Sequence, residues 1–151
     1  MEPNRMGDPD VSVFRPDRPG IRKVLGALEA DIMEFIWELP PGQPAAVREV
    51  FEYLHGSRRI AYTTVMSTMG RLARKGLLRV EKANQAYLYY PKLSQEEFVS
   101  GFVRRILEDL LVSFSGATLD GLKAMQDPEA ARRVRQLLEE ISHRRTREES
   151  Q

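Results

Sequence analysis

The chain contains no cysteine, which excludes disulfides, thiolate catalysis and cysteine-ligated metal sites. This composition also fits a reducing compartment. No run of about 18 apolar residues occurs, so no transmembrane helix is expected. The N-terminal stretch MEPNRMGDPDVSVFRPDRPG lacks the apolar core of a signal peptide. We therefore expect a cytoplasmic protein without membrane insertion.

Features that would indicate catalysis are also scarce. The two histidines, His55 and His143, are isolated and lie near the ends of predicted helices, where capping or surface roles are common. No glycine-rich phosphate loop follows a predicted strand. The carboxylates fall on the solvent faces of predicted amphipathic helices. The sequence therefore predicts a protein that is not an enzyme and needs neither a cofactor nor a metal.

Charge is nearly balanced over the 151 residues but unevenly distributed. The chain has 23 basic and 22 acidic residues, a net charge of +1. Residues 57–92 contain eight basic side chains and one acidic one, a local net charge of +7. A local basic patch in a neutral chain indicates a defined site for a polyanion.

The stretch Ala61–Gly76, AYTTVMSTMGRLARKG, lies inside this basic patch and has helical periodicity. One arc is apolar, with Tyr62, Val65, Met66, Met69, Leu72 and Ala73. The opposite arc has hydroxyls and then cations, without a carboxylate: Thr63, Thr64, Ser67, Thr68, Gly70, Arg71, Arg74 and Lys75. Serine, threonine, arginine and lysine can contact bases or phosphates in the major groove. We therefore predict a DNA-recognition helix.

Two apolar-periodic segments precede this helix, at about Val24–Leu39 and Ala45–His55, as in a helix-turn-helix. After it, LLRVEK and AYLYYP alternate like two short strands joined by a turn. In such a β-hairpin wing, Arg79 and Lys82 would lie near flanking phosphates. The alternative is that the hairpin serves only to close the core. Three tyrosines of the hairpin could pack or stack on bases, and packing is favoured: Tyr87, Tyr89 and Tyr90.

Ser94 and Glu97 form a capping-box pattern that opens a long helix with two adjacent apolar rows. Asp127-Pro128 opens the last helix. These helices have more apolar surface than so small a region can bury by itself. We expect a homodimer through this region, and the alternative is a monomer whose tail folds back on its own winged domain. The predicted dimerisation residues are Phe98, Phe102, Ile106, Leu110, Phe114, Leu137, Leu138 and Ile141.

The expected fold is mainly α with a small β-hairpin wing. It comprises a winged helix-turn-helix domain and a C-terminal helical dimerisation region. We place a flexible N-terminal arm at residues 1–23, the DNA-binding domain at 24–93, the dimerisation region at 94–145 and a frayed tail at 146–151. The proline-rich arm is either a solvated tail or a segment that touches the DNA backbone or minor groove.

Three collinear segments resemble the penicillinase-repressor family (BlaI/MecI/CopY type): LGALEADIMEFIW, AYTTVMSTMGRLARKGLL and AYLYYPKLSQEEF. The resemblance covers about Val24 to Ile141. It implies a dimeric winged-helix repressor that binds palindromic promoter operators with TACA/TGTA-like half-sites until a signal removes it. Carried over by position, the residues that face the operator are Thr63, Thr64, Ser67, Thr68 and Arg71.

The chain departs from the family pattern at several points. Without cysteine, release of DNA by copper at a C-terminal cysteine cluster is excluded. Members induced by β-lactams are cut at an Asn-Phe bond, and no such pair occurs here, so an upstream sensor or protease has no predicted cleavage site. Gly70 inside the recognition helix permits either close approach to DNA or a local bend. A winged-helix module that binds protein instead of DNA is the alternative function.

Overall fold

A computed structural model describes residues 13–150, apart from the side chains of Arg145 and Glu149. Residues 1–12, about half of the expected arm, lie outside the described part. The elements follow in this order: α1 (Ala27–Glu38), β1 (Ala45–Ala46), α2 (Val47–His55), α3 (Tyr62–Arg74), β2 (Leu78–Ala83), β3 (Ala86–Pro91), α4 (Gln95–Ser113), α5 (Ser115–Gln126) and α6 (Pro128–Glu149). The predicted winged-helix fold is confirmed.

The chain divides into two compact units, one ending at Arg104 and the other beginning at Arg105. The first, which we call the winged unit, contains α1 to α3, the sheet and the start of α4. Its core contains side chains at helical spacing on α1, α2 and α3, together with Leu77 after α3. These side chains are nearly inaccessible to solvent: Ile32, Met33, Ile36, Val50, Leu54, Val65, Met69, Leu72 and Leu77. Burial of this shared apolar core positions α3.

Two turns set the geometry between α3 and the wing. Gly76 has φ +88°, and the amides of Gly76 and Leu77 donate to the carbonyls of Ala73 and Leu72, a Schellman motif that ends α3. Asn84 and Gln85 both have positive φ between the paired residues Ala83 and Ala86, which is the geometry of a two-residue type I′ hairpin. The wing therefore begins directly after α3.

The sequence did not predict the short strand β1. Ala45 and Ala46 pair antiparallel with Tyr89 and Leu88 of β3, so that the sheet order is β1-β3-β2. The second helix, predicted from Ala45, therefore begins at Val47. Alanine favours helix by propensity, but pairing with β3 satisfies backbone groups of this segment and outweighs that local preference.

The N-terminal segment is packed against the winged unit from Gly20 onward. Gly20–Lys23 form a 3₁₀ turn that buries Ile21. Arg22 forms ion pairs with Asp31 and Glu34 of α1. The expectation of a flexible arm up to residue 23 was therefore wrong for these four residues, because one apolar side chain and one arginine attach them to α1.

Phe98 and Phe102 of α4 belong to the core of the winged unit. Both are buried, their ring centroids are 5.4 Å apart, and Phe98 lies 5.7 Å from the ring of Trp37. Trp37 also donates from Nε1 to the carbonyl of Leu93 at 3.0 Å. The prediction that these two phenylalanines face a second copy was wrong, because α1 and the start of α4 cover them within one chain.

The second unit consists of the rest of α4 with α5 and α6. A break at Phe114 separates α4 from α5, which begins at Ser115, and the hydroxyl of Thr118 donates to the carbonyl of Leu110 at 3.0 Å. Helix α6 begins at Pro128, as predicted, and continues to Glu149, so residues 146–149 of the tail predicted to fray are helical. None of the helices in residues 13–150 combines the length and the hydropathy needed to span a bilayer.

Candidate nucleic-acid interface

Helix α3 presents a polar surface from its first turn to its last. Thr63, Thr64, Ser67, Arg71 and Arg74 are exposed, as the periodicity predicted. Within residues 13–150, neither Arg71 nor Arg74 forms an ion pair. Helix α3 has no acidic residue. This surface therefore has free guanidinium groups and exposed hydroxyls with no carboxylate of its own helix to repel a polyanion.

Thr68 was expected on this surface, but only 3% of it is exposed. Its Oγ1 donates to the carbonyl of Thr64 at 2.7 Å, one turn earlier. A threonine whose hydroxyl bonds within the helix can bury its methyl group without leaving a polar atom unpaired. The expectation that Thr68 faces DNA is therefore wrong for this conformation.

Tyr62 and Met66 were expected in the apolar arc, yet they are 43% and 46% exposed. Tyr62 lies at the beginning of α3, where its ring meets Phe51 of α2 edge-on with centroids 5.6 Å apart. The buried side of α3 therefore includes Thr68 and excludes Met66, so it is rotated around the helix axis relative to the predicted apolar arc. The sequence did not predict the exposure of these two residues, because methionine and tyrosine at helical spacing usually belong to the core.

Lys75 was also predicted to face DNA. Its Nζ lies 2.9 Å from Oε2 of Glu29, a largely buried carboxylate on α1. The other carboxylate oxygen of Glu29 accepts from the amide of Gly26, at 3.3 Å. Lys75 therefore links the end of α3 to the beginning of α1, and its charge is neutralised within the winged unit.

The wing has two predicted phosphate contacts, which differ in their surroundings. Arg79 pairs with Glu81 two residues along β2, and its guanidinium lies 4.5 Å from the ring centroid of Tyr90. Lys82 is exposed and forms no ion pair with another described residue. Lys82 is therefore free to bind a phosphate, whereas Arg79 would have to leave the carboxylate of Glu81 to bind one.

The tyrosines of the wing divide between packing and solvent. Tyr89 is buried, and burial raises the pKa of its hydroxyl above the ordinary value. Tyr90 lies under the guanidinium of Arg79, and Tyr87 is exposed. The packing role that the sequence favoured therefore applies to Tyr89 and Tyr90, whereas Tyr87 is exposed.

The basic patch has fewer available cations than its composition implies. Arg58 pairs with Asp31, and Lys75 and Arg79 pair with Glu29 and Glu81. Five of the eight basic residues form no ion pair within residues 13–150: Arg59, Arg71, Arg74, Lys82 and Lys92. In the same range, no three histidine, aspartate or glutamate side chains are grouped so that they could hold a metal ion.

The predicted dimerisation residues of the second unit lie at its surface. Ile106 is half-buried, whereas five others are exposed large hydrophobic side chains: Leu110, Phe114, Leu137, Leu138 and Ile141. Leu110 and Phe114 line a shallow apolar groove with residues of α5. From Val103 onward, none of the described side chains is fully buried. The second unit thus has an apolar surface with no core of its own.

Comparison with known proteins agrees with this geometry. The family model for the penicillinase repressor matches residues 25–141. Two curated relatives, both named Transcriptional regulator BlaI, from Mycobacterium tuberculosis strains CDC 1551/Oshkosh and ATCC 25618/H37Rv, are 38% identical over 79 residues. That match covers 52% of this chain and 56% of each relative, so the chain aligns with about half the length of the proteins it resembles. Since the family model spans most of the sequence, the chain belongs to the penicillinase repressor family, a family of transcriptional repressors.

Proposed function

We propose that this chain is a sequence-specific DNA-binding transcriptional repressor that inserts α3 into the major groove of its operator. One observation carries the proposal: the exposed face of α3 has hydroxyls and two unpaired arginines without a carboxylate, while its opposite face is held in the core. A helix anchored in this way can enter the groove, since the groove admits a single α-helix.

The exposed residues suit different parts of that task. Arg71 and Arg74 can donate two hydrogen bonds to guanine or contact phosphate, and the hydroxyls of Thr63, Thr64 and Ser67 can bond either bases or phosphates. Lys82 on the wing can neutralise a flanking phosphate. We assign Lys75 to stability, because it already has a partner in Glu29.

We further propose that the repressor acts as a homodimer through the second unit. Its exposed leucines, isoleucine and phenylalanine form the apolar surface that a second copy would cover. Two copies related by a two-fold axis would present two α3 helices to half-sites about one helical turn apart. The expected operator is therefore a palindrome, and the family resemblance favours TACA/TGTA-like half-sites.

The test is a binding measurement with the full chain. Duplexes of about 30 bp, long enough for two half-sites, are selected from a random pool, and the affinity of the selected duplex is measured by fluorescence anisotropy between 50 and 200 mM salt. We expect selection of an inverted repeat and an affinity that falls steeply with salt. A scrambled duplex of the same composition should bind much more weakly.

The alternative, a winged-helix module that binds protein, predicts a different result. No duplex would be enriched over the starting pool, and the anisotropy of labelled DNA would not change at any salt concentration. That outcome would overturn the proposed function. Enrichment of a single half-site with no repeat would retain DNA reading and contradict the dimer.

A further inference from the structure

Met66 is an apolar side chain at the edge of the polar face of α3. It is 46% exposed and lies at helical spacing from Thr63, one turn before, and Gly70, one turn after. The other large hydrophobic side chains in the middle of α3, Met69 and Leu72, are fully buried. Packing within the winged unit therefore does not account for a long apolar side chain at this position.

The helix surface beside Met66 carries a glycine and then an arginine. A Cβ atom built on Gly70 would lie 3.6 Å from Nη1 of Arg74, in ordinary van der Waals contact. Met66 and Gly70 are neighbours at i, i+4. This part of the face therefore places an apolar methionine and a cationic arginine on either side of a residue without a side chain.

In the major groove, thymine alone among the four bases presents a methyl group, with the O4 acceptor beside it. We propose that Met66 reads the C5-methyl group of a thymine in each half-site. Methionine suits this contact because its side chain is flexible and polarisable. The inference rests on the proposed function and deepens it, since it names the base feature that one side chain recognises.

Tyr62 is less suited to the same contact. Its ring is held edge-on against Phe51 at the beginning of the helix. Thr63 is the stronger competitor, because it is exposed and its γ-methyl group can also touch a thymine methyl. The experiment must therefore distinguish a methionine contact from a threonine contact.

The experiment removes the methyl group from the DNA and the thioether from the protein. The probe is the duplex selected by the wild-type full chain, in which thymines are replaced one at a time by deoxyuridine, which lacks only the methyl group. We expect one position in each half-site where uracil weakens wild-type binding about fourfold, the effect of burying one methyl group. The same uracil should not weaken binding by Met66→Ala. Met66→Leu should show most of the loss of affinity that uracil causes in the wild type.

Thr63→Ser is the matched control, because it removes a single methyl group from the same face. It should keep the full uracil effect. If uracil weakens binding of Met66→Ala as much as that of the wild type, or if Thr63→Ser abolishes the effect instead, the assignment to Met66 is wrong. A wild-type chain that binds its duplex but is indifferent to every uracil overturns this inference alone, whereas failure to select any duplex overturns the proposed function.

Discussion

The winged unit and the second unit have the same apolar periodicity in sequence but opposite burial in the structure. In the winged unit, the stripes of α1, α2 and α3 meet in one core, and Phe98 is fully inaccessible. In the second unit, Leu110 is 42% exposed although it lies on the same i, i+4 row of α4 as Phe98. Periodicity therefore indicates that a face needs a partner, but it does not indicate whether that partner lies in the same chain.

The largest expected effect comes from truncating the same residue type in the two units. Phe98→Ala should lower the free energy of unfolding of the winged unit by about 3–5 kcal/mol, because it opens a cavity beside Trp37. The fluorescence of Trp37, the single tryptophan, reports this unfolding in urea. Phe114→Ala is the matched control and should leave the transition of the winged unit unchanged, while weakening self-association.

The two phenylalanine variants can also contradict the comparison. Equal losses of stability in Phe98→Ala and Phe114→Ala would mean that both units unfold together around one core. A normal transition for Phe98→Ala would mean that α4 does not complete the core of the winged unit.

The second prediction places charge on the apolar surface of α6. The double variant Leu137→Asp/Leu138→Asp should be monomeric in sedimentation velocity, because association would bury carboxylates without partners at a cost of about 3–5 kcal/mol. Gln136→Asp adds one carboxylate outside the apolar stripe and should remain dimeric. A dimer in the double variant would mean that the interface lies elsewhere, whereas a monomeric wild-type chain would support the alternative in which the tail folds back within one chain.

The third prediction concerns the exposed face of the winged unit. Arg71→Ala should weaken binding to the selected duplex by about 1–3 kcal/mol and relax the base preference at one position, with an unchanged unfolding midpoint. Arg79→Ala should have a smaller effect, because its guanidinium already pairs with Glu81. An unchanged sequence preference in Arg71→Ala, measured over single-base variants of the duplex, would remove Arg71 from direct readout.

The fourth prediction separates a structural lysine from a DNA-binding one. Lys75→Ala leaves the carboxylate of Glu29 without its ion partner and should lower stability by about 1–3 kcal/mol. The salt dependence of DNA binding should remain close to that of the wild type. If Lys75 contacts phosphate instead, its removal would reduce the slope of log affinity against log salt by about 1 and would leave the unfolding transition in place.

Lys75 and Thr68 show what the sequence could not predict about the site. The order of helices and hairpin followed from periodicity and turn residues, and most of the exposed residues of α3 followed from the same pattern. The partners of Lys75 and Thr68 did not. Glu29 is 46 residues from Lys75 along the chain, and the hydrogen bond of Thr68 depends on which side of α3 is buried. Strand β1 was missed for the same reason, since its partner β3 comes some 40 residues later.

The smallest expected effect is at Gly70, where stability and DNA binding should change in opposite directions. Alanine at this position meets only ordinary contact with Arg74, so Gly70→Ala should stabilise the winged unit by about 0.5–1 kcal/mol through its higher helix propensity. If α3 approaches DNA closely beside Gly70, the added methyl group should weaken binding to the selected duplex although the protein is more stable. Affinity that stays the same or improves would show that glycine is not required by the DNA. Because the two measurements have opposite expected signs, a general change in folding cannot imitate the result.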